Sequence, residues 1–217
     1  MQFLQLALCR PLGRRHATPG CLWLARCILP FALAFAHVPT EEATRAAPAT
    51  RPASQPTTRG SPSPVVAAAN RHRLGELSRL LDSGVDVNGR GTHGETALYA
   101  ASRSGYVDAI NLLLRYHADP NLAASCGETP LMVAETEEVA EILVAHNAAV
   151  DAKDNRNGWT PLFFAIDGGR MGVVRSLLKR GVSVNYVDKN GDTPIGLSRK
   201  NGESEIVELL RTHGAKE

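Results

Sequence analysis

The chain has 217 residues, of which 43% are hydrophobic and only 5% aromatic, so its core has to consist of Leu, Val, Ile and Ala. Residues 1–40 hold four arginines and no acidic residue, whereas the rest of the chain holds 20 basic and 22 acidic side chains. The net charge of +2 therefore belongs to the N-terminal segment, and the balance elsewhere argues against nucleic-acid binding.

Residues 1–36 have the features of a targeting segment. They combine arginines, an apolar stretch over 28–33, and Ala34-Phe35-Ala36, which matches a signal-peptidase site. The pattern favours a secretory signal peptide cleaved after Ala36, and hence an exported, periplasmic or secreted protein. One alternative is an uncleaved membrane anchor, although the charge-free run 27–38 is shorter than the ~20 residues of a spanning helix. The other is a mitochondrial transit peptide, although the first serine is Ser54.

Residues 37–60 are rich in Pro, Ala and Thr and nearly lack large apolar side chains. Such a segment buries too little surface to offset the entropy lost on ordering. We therefore predict a disordered linker, partly extended by its prolines.

A short element that begins Gly-x-Thr recurs after this linker. Its four copies lie at 94–98, 127–131, 158–162 and 191–195, and Ser63-Pro64-Val65 matches the same pattern further upstream. A period near 33 residues is typical of repeat architectures. We therefore predict five repeats, near 61–93, 94–126, 127–157, 158–190 and 191–217.

Each repeat predicts two short helices followed by a protruding loop. The recurring Thr can cap the first helix, and the Pro that often follows it suits a first helical turn. In the second helix, apolar residues such as Ile110 and Leu113 fall on one stripe. The helix ends carry residues suited to a left-handed backbone, or tolerant of it: Gly84, His117, Asn147, Gly181 and Gly214. No repeat buries its apolar face alone, so the repeats have to stack.

The period and the Thr-Pro-Leu element resemble the ankyrin repeat. The resemblance implies an all-α ankyrin-repeat solenoid over 61–217, with partner contacts on a concave face made by the loops and first helices. The third repeat lacks three residues after Glu135, so its helices have to be shortened or joined more tightly. The His that usually follows Thr-Pro-Leu is absent, so the family's Thr–His hydrogen bond is not available. Arg211, and polar residues of the first repeat such as Glu76 and Arg79, suit terminal caps.

No pattern in the sequence predicts catalysis, a cofactor or a metal site. There is no phosphate-binding loop, zinc-protease motif or nucleophile elbow, and the seven histidines are scattered. After residue 36 only Cys126 remains, which excludes an internal disulfide there and matches no zinc or redox spacing.

The sequence therefore predicts a non-enzymatic, monomeric module that binds a protein partner. Its repeat domain is expected to contact neither nucleic acid nor membrane. The alternative is an accessory or inhibitory regulator of one enzyme, which would use the same face. The candidate partner-binding residues are Trp159, Arg103, Arg156, His93, Tyr99, Phe163, Asp167, Lys189 and Lys200.

Trp159 is the strongest candidate for a partner contact. It stands where sister repeats have Glu95, Glu128 and Asp192, and exposed Trp often anchors interfaces. We expect Trp159→Ala to weaken partner binding and to leave thermal stability nearly intact. The alternative for Trp159 is packing over the neighbouring loop, and for Tyr99 and Phe163 a packing role is equally consistent with the pattern.

Overall fold

Nine helices occupy residues 62–216, the part of the chain that the computed structural model describes. The predicted signal peptide and the whole of the predicted linker lie outside the described residues. Within them, seven-residue and nine-residue helices alternate, except that one seven-residue helix is missing. The helices are α1 Pro64–Asn70, α2 Leu74–Asp82, α3 Ala97–Arg103, α4 Val107–Arg115, α5 Glu137–Ala145, α6 Pro161–Asp167, α7 Met171–Lys179, α8 Pro194–Lys200 and α9 Ser204–Thr212.

The first helices begin at the recurring Thr. The hydroxyls of Thr96 and Thr193 accept hydrogen bonds from the backbone N–H three residues later, at 3.2 and 3.1 Å. These bonds satisfy donors that an uncapped helix leaves open, so the capping prediction is confirmed at both positions. It is wrong at Thr160, whose side chain makes no cap bond, and at Thr129, whose buried hydroxyl has no partner.

The second helices end as predicted, on residues with a left-handed backbone. Their φ values are 82° at Gly84, 62° at His117, 65° at Asn147, 73° at Gly181 and 83° at Gly214. Gly adopts this region without strain, whereas His and Asn carry a Cβ that opposes it. The same turn is therefore built at five places, and at two of them the backbone is strained.

One continuous core joins the repeats. It runs from Val65 to Leu210 and includes residues of every described helix. Ile110 and Leu113 are 0% exposed, as their stripe predicts, whereas Val107 at the start of the same stripe is only half-buried. The first helices pack on one another from α1 to α3 and from α6 to α8. Small residues such as Ala100 and Ala101 allow this close approach.

The third repeat departs furthest from its sisters. Its first helix is reduced to a turn over residues 130–133, closed by Met132 N–H to Thr129 O and Ala134 N–H to Leu131 O. The expectation of shortened helices is thus correct for the first helix, while α5 keeps all nine residues. The deletion removes the counterparts of Arg103-Ser104-Gly105 and Asp167-Gly168-Gly169, which form the last residue of α3 and α6 and the turn that follows it.

Arg170 occupies the place of that lost turn. Its guanidinium donates to the backbone oxygens of Ala134 at 2.8 Å, Met132 at 3.1 Å and Phe164 at 2.6 Å. Burial lowers the pKa of Arg170 from its ordinary value, while Glu135 and Asp167 oppose that effect. A side chain of the fourth repeat therefore satisfies carbonyls that a complete helix in the third repeat would have satisfied itself.

Asparagines tie the connectors of successive repeats together. The side chain of Asn88 accepts from Asp119 N–H at 3.0 Å, and that of Asn121 bonds Asn147 O and Ala149 N–H. Asn185 repeats the second arrangement with Gly214 and Lys216. The third repeat has Asp151 at this position, and within residues 62–216 its side chain makes no such bond to the next repeat.

The two ends of the array are polar, as the sequence predicts. Glu76 and Arg79 are exposed where the next repeat buries Ala109 and Leu112. At the other end, Arg211 stands where Leu114 and Leu178 are buried, and it pairs with Glu208. Within residues 62–216, no helix has the length and apolar character that crossing a membrane requires.

Candidate functional site

The candidate site is the surface formed by the loops and the first helices, named here the loop face. Each loop is closed by a backbone hydrogen bond: Gly91 N–H to Glu95 O, Ala124 to Glu128, Asp154 to Trp159, and Asp188 to Asp192. Successive loops are also joined, through Ser125 N–H to His93 O, Asn155 to Cys126, and Lys189 to Asn157. The loops of the loop face are therefore joined into one hydrogen-bonded surface and are not independent of one another.

Two buried aspartates shape the loops that end the third and fourth repeats. Asp154 is 5% exposed, and its carboxylate accepts from the N–H groups of Arg156, Asn157 and Trp159. Asp188 is 6% exposed and accepts two backbone N–H groups in the same way. Aspartates that bond backbone N–H groups two residues on are typical turn formers. Asp154 and Asp188 are thus structural, and Asp151 is exposed, away from this arrangement.

Hydrogen bonding keeps Asp188 ionised despite its burial. Burial raises the pKa of this carboxyl. Hydrogen bonds from Asp192 N–H, the Trp159 indole and Asn190 lower it by more than burial raises it, so the pKa lies below its ordinary value. The indole contributes through Nε1–H to Oδ2 at 2.8 Å.

Trp159 is partly buried and packs within its own repeat. Its ring centroid lies 6.0 Å from that of Phe163 and 5.5 Å from that of Phe164, the second contact being edge to face. With the bond to Asp188, the indole thus fills a place between two loops and one helix. These contacts argue against the expectation that Trp159→Ala leaves stability nearly intact. The clue in the sequence was Phe164, which stands where sister repeats have Ala100 and Leu197.

Tyr99 and Arg103 lie together on the second repeat. Tyr99 is 7% exposed, its hydroxyl donates to Glu128 Oε2 at 2.6 Å, and the Arg103 guanidinium carbon lies 5.9 Å from the ring centroid. Burial, followed by the bond to Glu128, raises the pKa of Tyr99 well above its ordinary value. Tyr99 thus links two repeats, at the position where the family's usual His is absent.

The remaining candidates are spread along the loop face. Phe163 is 0% exposed and belongs to the core, so it offers a partner no surface. Lys189 Nζ donates to Asn155 O and Arg156 O, and Lys200 pairs with Asp192. The last three are exposed: Asp167 at the end of α6, and His93 and Arg156 at loop tips. The predicted residues therefore form a surface about four repeats long rather than one pocket.

The structure also brings in two residues that the sequence did not single out. Lys153 Nζ lies 4.1 Å from the centroid of the Tyr186 ring, a cation–π distance. Tyr186 in turn meets Phe163 edge to face at 6.1 Å. The two residues belong to different loops, so only the stacking of repeats reveals the pair.

Across residues 62–216, no three His, Cys, Asp or Glu side chains are placed to hold a metal ion. Cys126, the free cysteine in this part of the chain, is partly buried in a loop.

Paired short helices, left-handed helix ends and loops joined by backbone hydrogen bonds define an α-helical repeat solenoid. A sequence profile described as "Ankyrin repeats (3 copies)" matches three overlapping stretches, residues 52–124, 112–188 and 131–217. The chain therefore belongs to the ankyrin-repeat family.

Curated relatives agree with this assignment. Ankyrin repeat protein YahD of Escherichia coli (strain K12) is 30% identical over 147 residues, which cover 64% of this chain and 73% of YahD. The ankyrin repeat and KH domain-containing protein CBG24701 of Caenorhabditis briggsae is 33% identical over 67% of this chain, but the match spans 6% of that protein. The mitochondrial disaggregase of Bos taurus is 31% identical over 69% of this chain and 22% of its own length.

Proposed function

We propose that residues 61–217 form a non-enzymatic module that binds a protein partner through the loop face. The observation that carries this proposal is the series of backbone hydrogen bonds that joins successive loops. These bonds hold exposed side chains such as Arg156 and Lys189 at fixed spacings. A surface ordered before binding loses little conformational entropy on association. Membership of a repeat family whose stacked units create extended binding surfaces supports the same function.

The polar ends of the array support a monomeric module. Exposed charges at Glu76, Arg79 and Arg211 disfavour end-to-end stacking of copies, because stacking would remove these charges from water.

Affinity capture with the full chain tests this function. The loop-face variant carries Arg103→Glu, Arg156→Glu and Lys189→Glu. The matched control carries Arg115→Glu, Arg175→Glu and Arg180→Glu, which are exposed on or beside α4 and α7. We expect partners held by the wild type to be lost from the loop-face variant and kept by the control. Equal loss from both variants, or from neither, would contradict the proposal.

The same experiment separates the two forms of the function. One captured enzyme whose turnover changes when the chain is added would identify a regulator. Several unrelated partners held through the loop face would identify a scaffold.

We also propose that the module is exported. Support comes from the arginines, the apolar stretch 28–33 and the Ala34-Phe35-Ala36 pattern. N-terminal sequencing of the mature protein tests it: export with cleavage predicts a chain that starts at His37. A chain that still starts at Met1 would favour the uncleaved anchor instead.

A further inference from the structure

We propose that the loops that end the third and fourth repeats dock an acidic segment of the partner protein. The proposed docking site is the cationic loop patch, which consists of Lys153, Arg156 and Lys189 around the rings of Trp159 and Tyr186. This inference rests on the proposed function, because it specifies the chemistry of a partner on the loop face.

Charges of opposite sign are separated by depth in these two loops. The carboxylates of Asp154 and Asp188 are 5% and 6% exposed and are turned inward onto backbone N–H groups. Lys153, Arg156 and Lys189 are all exposed. The loops therefore present these three cations to a partner, although Asp154 and Asp188 lie beside them in the sequence.

The three cationic residues belong to two loops that are in contact. Lys189 Nζ lies 2.8 Å from Asn155 O and 3.2 Å from Arg156 O, which places its ammonium beside the loop that carries Arg156. Lys153 reaches the same region through the Tyr186 ring. Neither lysine is paired with a carboxylate among the described residues, so both ammonium groups can form an ion pair with a partner.

Arg156 is the specific element of the patch. Within residues 62–216 its guanidinium has no hydrogen-bond or ion-pair partner, and its loop is held in place by Asp154. A guanidinium fork matches the two oxygens of a carboxylate and binds it through two parallel hydrogen bonds. The aromatic rings alongside would pack against the apolar stems of the bound segment.

The earlier loops lack this arrangement. The loop that ends the first repeat has one Lys or Arg residue, Arg90, whose guanidinium donates to Gly94 O and Ala123 O at 2.7 Å each. The next loop, residues 122–128, contains neither Lys nor Arg. A short acidic segment fits a patch of three cations.

A random peptide library displayed on phage and selected against the immobilised full chain provides the test. We expect enrichment of peptides with clustered Asp and Glu. Their dissociation constants, measured by fluorescence anisotropy, should rise about tenfold or more in the Lys153→Gln, Arg156→Gln, Lys189→Gln variant. In the matched Arg115→Gln, Arg175→Gln, Arg180→Gln variant they should change by about twofold or less. Circular dichroism confirms that both variants are folded.

The outcomes separate the inference from the function on which it rests. Enriched peptides without acidic residues, blocked by Trp159→Phe or Arg103→Gln but not by the patch variant, would overturn the inference and leave the proposed function standing. No enrichment, or binding that follows the α4 and α7 variant, would overturn both. Tighter binding of phosphatidylserine vesicles or of a single-stranded oligonucleotide through the same three cations would also overturn the acidic-segment proposal.

Discussion

The junction between the first two repeats and the junction between the third and fourth solve one packing problem by different means. At the first, helix α1 packs on α3, Asn88 bonds the next connector, and the Tyr116 hydroxyl donates to Asp82. At the second, the third repeat has neither a first helix nor the connector asparagine. Arg170 spans the gap instead, and Lys179 bonds Glu137 at 3.0 Å.

The comparison shows how a repeat array tolerates a deletion. Regular repeats distribute stability over many small bonds and close apolar contacts between neighbours. Where three residues are lost, the stability of the junction comes to depend on one long side chain that reaches the open carbonyls. Substitutions at this junction should consequently have larger effects than equivalent substitutions elsewhere.

The largest effect is expected for Arg170→Ala. It removes three hydrogen bonds from a charged donor and leaves the carbonyls of Met132 and Ala134 unsatisfied, while Phe164 O keeps its bond from Gly168 N–H, and the cost should be about 2–4 kcal/mol. Urea unfolding followed by circular dichroism measures the loss. The control is Arg175→Ala, which replaces an exposed arginine of α7, the helix that begins directly after Arg170. It should change stability by less than about 0.5 kcal/mol. Similar losses for both variants would remove Arg170 from its bridging role.

Trp159→Ala should come next, at about 1.5–3 kcal/mol, because it removes ring packing on Phe163 and Phe164 and the bond to Asp188. Asp192→Ala is the matched substitution at the sister position. It breaks only an exposed ion pair with Lys200 and should cost less than about 1 kcal/mol. Thermal melting compares the two, and equal losses would mean that the indole contacts contribute nothing beyond the position itself.

A smaller effect tests the connector asparagines. Asn121→Ala removes two hydrogen bonds to the third repeat and should cost about 1–2 kcal/mol. Asp151→Ala, at the same position one repeat later, should change stability by less than about 0.5 kcal/mol, because its side chain bridges no repeats. If Asp151→Ala proved as costly in urea unfolding, the contrast between junctions that a connector asparagine bridges and the junction after the third repeat would disappear.

The smallest effect is expected at a strained turn. His117→Gly relieves a left-handed backbone of φ 62° and should stabilise the protein by about 0.5–1 kcal/mol in the same assay. Asn147→Gly, which closes the third repeat, should gain less, because Asn tolerates this conformation better than His. A gain at Asn147 that exceeds the gain at His117 would show that neighbouring contacts, rather than φ, govern these turns.

Much of the fold could be predicted from the sequence because the repeat signals are local. The period, the Thr caps and the left-handed helix ends each depend on a few adjacent residues, and they placed every described helix pair. The loss of the first helix in the third repeat was anticipated only as a shortening. Its replacement by Arg170 could not be foreseen, since the arginine lies more than thirty residues along the chain from the carbonyls of Met132 and Ala134.

The candidate surface was harder to predict. Position within the repeat correctly placed Arg156, Lys189 and Lys200 on exposed loops and helix ends. It did not show that Phe163 is fully buried or that Trp159 bonds Asp188, because both facts depend on how one repeat stacks on the next. Periodicity predicts the element on which a residue lies, whereas exposure depends on neighbours from other repeats.

The bonds that join successive loops have a consequence for evolution. Asn155 takes part through its backbone N–H, whereas Lys189 also donates from Nζ to Asn155 O and Arg156 O. Tip residues other than Lys189 can therefore be exchanged with little effect on folding, while each new side chain keeps a set distance from the next. The backbone bonds set the spacing between successive loops, while the side chains at the loop tips can vary. New partners can therefore be acquired by substitution at the tips alone.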